Sequence, residues 1–220
     1  SCTIVRNMIT GKVYNSRWIL ERALRDHALR INQSLVKAAS EQLQKFIPLI
    51  RSATELDSLR GLEGEAAAAY FSAFDELILS QKVDFIFDGR NRRPPQDNVN
   101  AMLSFAYTLL ANDCAAALEA VGLDAYVGLL HQDRPGRKSL ALDLEEELRA
   151  PFADRLVLTL INNRIIQDKH FDRQESGTVL LNDSGRKLFL KHWQEKKRDE
   201  ITHPFLKEKL PWGLVPYVQS

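Results

Sequence analysis

Residues 131–151 read HQDRPGRKSLALDLEEELRAP: a histidine, a basic proline-glycine turn, then an apolar helical run carrying a dense row of carboxylates. Within that run Asp143 and Glu146 interrupt Leu140, Ala141, Leu142, Leu144 and Leu148. Positions three apart share one face of a helix, so the two acids stand side by side. Like charges so placed repel unless a cation lies between them or one keeps a proton. His131, upstream across a tight turn, folds back to the same place in this reading and is a good divalent-metal ligand when neutral. A third acid from elsewhere completes a site for an oxygen-loving ion, Mg²⁺ or Mn²⁺.

Working outward, Asp97 is placed to cap a long apolar helix, VNAMLSFAYTLLANDCAAALEAVG, which ends at Gly122. Being apolar nearly all round, it reads as the central helix of the domain. Before it, VDFIFDGRNRRPP from Val83 to Pro95 breaks the helical pattern, with Arg90, Arg92 and Arg93 leading into two prolines. The alanine-rich run from Arg60 to Phe71 favours helix and holds Glu63 near Gly61 and Gly64, glycines that would suit a close backbone approach. Earlier still, helices are expected from Ser16, with Ser16 as its cap, and from Leu35 to Ile50, bent or stopped near Pro48. Ser52 and Glu55 read as a capping box opening a short helix.

After the organising stretch, Phe152 to Ile166 is helical again. A small hairpin is expected between Phe171 and Asn182 around Ser176-Gly177. Ser184 then caps a basic helix through Arg198, and the end of the chain reads as irregular. Trp18, Trp193 and Trp212 read as packing residues. The fold class is all-α, seven or eight helices with at most a minor β-hairpin.

The 220 residues carry 30 Lys and Arg against 29 Asp and Glu, so any affinity for nucleic acid has to come from local clustering. Two cysteines point to a reducing compartment, here cytoplasmic, and away from a disulfide scaffold. The sequence has no unbroken run of about 18 apolar residues, which speaks against a membrane span. The opening, SCTIVRNMITGKVYNSR, reads as a cut into a longer protein.

Three segments in order, RGLEGEAAAAYF, NRRPPQDNVNAMLSFAYTLL and HQDRPGRKSLALDLEEELRAP, resemble the CRISPR-associated protein 1 family, the integrase of spacer acquisition. The likeness runs from about Gly11 onward, and the histidine-turn-DLEEE variant is similar to the subtype I-C branch. The resemblance implies a metal-dependent DNA endonuclease and integrase whose helical lobe holds the active site. Glu63, His131 and Glu146 match the family's metal ligands, Asp143 matches a second acid beside them, and all four are candidate catalytic residues. Arg90, Arg92, Arg93, Arg134 and Arg137 match its basic loops, and with Lys138 they are candidate phosphate contacts.

Double-stranded and branched DNA, CRISPR-associated proteins 2 and 4, and a homodimer of the full-length protein are implied as partners. Residues 1–15 are then expected to be a linker from an N-terminal β-domain, with 16–220 the catalytic domain, its C-terminal tail truncated. Arg149-Ala150-Pro151 departs from the family's usual Arg-Pro. Each residue also has an ordinary alternative. Glu63 reads equally as a solvent-facing helix carboxylate, His131 as a capping histidine, and the arginines as solvated charge. A helical DNA- or partner-binding module without turnover therefore stands beside the enzyme.

Overall fold

The computed structural model describes residues 2–91, 94–131, 134–202 and 209–211, with backbone alone for 201–202 and 209–211. Arg92, Arg93, Trp212, Pro204 and Pro216 lie outside them. Among the described residues there are seven α-helices and two short antiparallel ladders, so the all-α expectation holds with one more hairpin than foreseen.

The first helix, α1, spans Cys2–His27. The stretch expected as linker is therefore the first half of a helix, and Ser16 is a buried mid-helix residue instead of its cap. The reason is the spacing of Val5, Ile9, Val13, Leu20 and Ala23, which are buried at three- to four-residue or longer helical intervals along one face. A short connection turns the chain into α2, Gln33–Ser52, capped by Asn32, whose side chain accepts from the Leu35 amide at 3.2 Å. Pro48 lies inside α2 without ending it. Phe46 and Ile50 are buried on either side, and that packing outweighs the single lost hydrogen bond.

Helix α3, Leu56–Ser72, starts after Glu55, and no side chain caps it. Ser52 instead donates back to the Leu49 carbonyl at 3.0 Å, closing α2, so the expected capping box is absent. Phe85 and Phe87 anchor the irregular stretch that follows by being buried, while Ile86 between them is exposed. Asp97 then caps α4, Asn98–Ala120, accepting from the Asn100 amide at 2.7 Å. Gly122 follows it in the left-handed region at φ 79°, the conformation that favours glycine at a helix end.

By length and composition α4 is apolar enough to cross a membrane, though polar residues interrupt its apolar run, and half of that window is buried inside the domain. Its neighbours there are α5, Ser139–Leu148, and α6, Arg155–Asn162. Residues 149–154 form a π-helical turn joining α5 to α6. Strands β1, Phe171–Arg173, and β2, Val179–Leu181, make the expected hairpin with Phe171 opposite Leu181. Helix α7, Asp183–Arg198, is capped by Asn182, two residues before the expected cap. A second ladder pairs β3, Glu200–Thr202, with β4, Lys209–Pro211. Trp193 is buried edge-on to Phe152, with ring centroids 4.8 Å apart. Trp18 is 53% exposed and stacks with Tyr14, so it does not pack in the core as expected.

Candidate metal centre

Asp143 is fully buried on α5, and its carboxylate organises the chain before it. Oδ2 accepts from the amides of Leu129 at 2.6 Å and Leu130 at 3.0 Å. Oδ1 accepts from the His131 amide at 2.9 Å and lies 2.6 Å from His131 Nδ1. Burial alone would push this carboxyl up, but the imidazole and the three amides hold it below the usual aspartate value. An ionised carboxylate only accepts, so Nδ1 is the donor, and Nε2 is the ring nitrogen left to face away from Asp143. That nitrogen lies 3.9 Å from Glu146 Oε1.

Two further features pin the same loop. A Cβ at Gly128 would stand 2.5 Å from Ser139 Cβ and 2.6 Å from the His131 carbonyl oxygen, so only glycine fits where the loop crosses the start of α5. From α3, the Arg60 guanidinium donates twice to the Leu130 carbonyl, at 3.1 and 2.7 Å. Helix α3 thereby holds the histidine loop while presenting Glu63 one turn further on.

Glu63 and Glu146 meet across a lysine that the sequence did not bring forward. Lys12 Nζ donates to Glu63 Oε1 and lies 2.6 Å from Glu146 Oε2. Glu146 is 4% exposed. Burial would raise its carboxyl, yet the charges of Arg149 and Lys12 overcome that and hold it well below the ordinary glutamate value. Arg149, at the end of the same helix, forks between Glu145 and Glu146. Its guanidinium also sits 4.9 Å from the centroid of the Tyr107 ring, and the Tyr107 hydroxyl donates to Asp154 at 2.6 Å.

Glu146 on α5 is thus the common neighbour, reached by Glu63 of α3 through Lys12 and by His131 of the loop between α4 and α5 at its other oxygen, while Asp143 is the acceptor that orients His131. Among the described residues no three His, Cys, Asp or Glu side chains form a ready metal cluster; a side-chain cation holds the middle. The donors nonetheless fit a divalent ion. A cation already lies between the two carboxylates, and hard oxygens with one imidazole nitrogen are the set that Mn²⁺ or Mg²⁺ takes. Glu63, Glu146 and His131 are the residues that would hold such an ion.

Other predicted residues are placed differently. Arg90 is engaged inward, donating to Asn91 O and to Asn100 Oδ1 at 2.6 Å and lying 5.2 Å from the Tyr107 ring centroid. Arg134 is exposed, and Arg137 and Lys138 are half-buried, in the turn between His131 and α5. Gly61 and Gly64 have open space where a side chain would go, so they mark no close approach. Lys12, Arg60 and Arg149 were missed. Arg149 carried a signal, since an arginine three and four residues after two glutamates is a standard helical ion pair.

A sequence model of the family described as "CRISPR associated protein Cas1" matches residues 1–195. The chain belongs to the Cas1 family. It is 52% identical over 221 residues to the CRISPR-associated endonuclease Cas1 2 of Rhodospirillum rubrum, covering 99% of this chain and 64% of that protein. A Cas4/Cas1 exonuclease-endonuclease fusion of Geobacter sulfurreducens is 36% identical, with 99% of this chain and 39% of the fusion covered. Among solved structures, a Cas1 protein from Thermotoga maritima superposes with a TM-score of 0.81 at 28% identity, over 98% of this chain and 63% of that one. A chain of a Cas6-RT-Cas1–Cas2 complex does so with 0.82 at 25% identity, over 99% and 23%. The chain therefore spans 64% of the length of that first relative.

Proposed function

We propose that this chain is the catalytic lobe of a divalent-metal-dependent DNA endonuclease and integrase, which inserts spacers into a CRISPR array by phosphodiester transesterification. The observation that carries the reading is that Lys12 bridges Glu63 and Glu146, while His131 Nε2 stands 3.9 Å from the other carboxylate oxygen of Glu146. The curated relatives named as Cas1 endonucleases support it.

Glu63, Glu146 and His131 would hold the ion, which when bound supplies Lewis-acid stabilisation of the charge that builds on a phosphate during transfer. Asp143 keeps the imidazole in one tautomer and one orientation. Arg149 offsets the charge of the paired glutamates, and with Lys12 it holds the buried Glu146 carboxyl well below its ordinary value. Arg134, Arg137 and Lys138, which follow His131 in the chain, would take phosphates beside the site without reading bases. The nucleophile is a DNA 3′-hydroxyl in integration and water in cleavage. The protein chiefly positions and polarises.

Double-stranded and branched DNA are the substrates of this reading, and a homodimer of the full-length protein is its active form. Cas2 is proposed as a partner from the similar chain in the Cas6-RT-Cas1–Cas2 complex, and Cas4 from the fused relative. A type I-C setting and a cytoplasmic location belong to the same proposal. In a Mn²⁺-dependent cleavage assay, Glu63→Ala and His131→Ala are expected to abolish product while keeping the helical circular dichroism of the parent. Wild-type cleavage by both variants would overturn the reading.

One observation favours a second reading. Lys12 already lies between the two carboxylates and offsets part of their charge, so a side-chain cation can hold them together without a metal, as a non-catalytic DNA- or partner-binding module would require. DNA retardation that persists in EDTA, with no cleavage product under Mn²⁺, would select that alternative.

A further inference from the structure

We infer that Lys12 is a built-in counter-cation that occupies the metal position in the metal-free protein, so that a divalent ion has to displace its ammonium and Lys12 sets how tightly the site takes metal. The inference rests on the metal-site reading above and adds a competitor to it.

Its first support is the contact pair. A single ammonium touches Glu63 Oε1 and Glu146 Oε2, the atoms of two predicted ligands that stand on different helices. A cation there removes the repulsion between two carboxylates facing each other in a partly dry site. The second support is that the lysine is placed by the fold. Its side chain is 11% exposed, unlike a surface lysine that wanders in solvent.

Its helix is fastened to α5 on both sides of it. At Gly11 an added Cβ would stand 2.9 Å from the Glu147 carboxylate, which marks the closeness of α1 to α5. At Asn15 the amide Nδ2 donates to the Glu147 carbonyl at 2.9 Å. The backbone of Lys12 is thus fixed, while its four-carbon stem is flexible enough to withdraw the charge when a doubly charged ion arrives. An ammonium and a divalent ion cannot share the position, because like charges about 3 Å apart repel strongly in a partly desolvated site. Metal entry therefore carries the cost of breaking both ion pairs.

Mn²⁺ binding measured by calorimetry and by electron paramagnetic resonance, without DNA, tests this on the full chain. Lys12→Met keeps the stem and removes the charge. It is expected to bind Mn²⁺ at least tenfold more tightly than the parent, and to melt at lower temperature in EDTA but regain the difference when Mn²⁺ is added. Lys12→Arg keeps a cation and is expected to retain the weak parental affinity. Lys12→Gln repeats the neutral substitution if the methionine variant does not fold. Glu63→Gln is expected to weaken Mn²⁺ binding in both the parental and the Lys12→Met backgrounds.

Equal or weaker Mn²⁺ affinity in the neutral variants would overturn the inference and leave the metal site standing. Tightening by Lys12→Arg as large as by Lys12→Met would also overturn it, since charge would not be the cause. If neither parent nor variants bind Mn²⁺, the metal-site reading falls and this inference with it.

Discussion

Asp143 accepts bonds from three consecutive backbone amides and from an imidazole. A carboxylate so used is a structural keystone for the loop, and removing it strands donors in a place with little water. Asp143→Ala is expected to cost about 3 kcal/mol in urea unfolding, since each unpaired buried donor costs roughly 1–3 kcal/mol. Asp143→Asn keeps the shape but loses the anionic acceptor for Nδ1–H, and metal-dependent cleavage should fall roughly 10–100-fold.

Asp154 gives a pH test at the same scale. Burial pushes its carboxyl up from 3.8 to about 6, with the Tyr107 hydroxyl pulling the other way. The native state holds this proton to higher pH than the unfolded chain. The contribution is thus fully present below about pH 4 and is lost as pH rises through about 6. That difference corresponds to roughly 3 kcal/mol. Asp154→Asn, which cannot ionise, should remove that share of the fall in unfolding free energy between these pH values; an unchanged slope would show that the carboxyl is not held neutral. His131 and Glu146 were legible as residue types at telling spacings, and Glu63 only through the resemblance to the family. Asp143 was legible as important but not as an orienter, because only the folded loop shows that its oxygens are already used.

Among the elements, the histidine loop and α1 decide whether the site exists. Gly128 lies where α5 and the loop cross with no room for a methyl group against a backbone carbonyl. Gly128→Ala is therefore expected to destabilise by about 2 kcal/mol and to impair metal binding, read by thermal melting and Mn²⁺ titration. An alanine variant with parental stability would mean the crossing is looser than the geometry requires. Asn15→Ala should cost about 1 kcal/mol by releasing the Glu147 carbonyl and loosening α1 against α5. The long apolar helix and its Asp97 cap were readable from periodicity and capping chemistry alone. Helix α1 was readable in principle from Val5, Ile9, Val13 and Leu20. Its polar residues Asn7, Thr10 and Asn15, with Gly11, dilute that pattern, and with the helix start went Lys12.

At the scale of the molecule, the site is assembled by packing and by no single motif. Helix α1 brings a lysine, α3 a glutamate and a guanidinium, α5 the paired acids, and the loop between α4 and α5 the imidazole. Helices α1 and α4 both pack on α5, so the centre sits where the longest helices meet the shortest acidic one. Sequence patterns foretell each helix separately. The cation between the acids emerges only from the way α1 lies across α3 and α5, which no local spacing encodes.

The central claim is that one doubly charged ion is held by side chains from these separate elements. Anomalous scattering from crystals soaked in Mn²⁺ measures it directly. The account predicts a single strong peak about 2 Å from oxygens of Glu63 and Glu146 and from His131 Nε2, with the Lys12 ammonium moved away and Asp143 still bonded to Nδ1. A peak elsewhere, or none while the lysine keeps both glutamates, would contradict it.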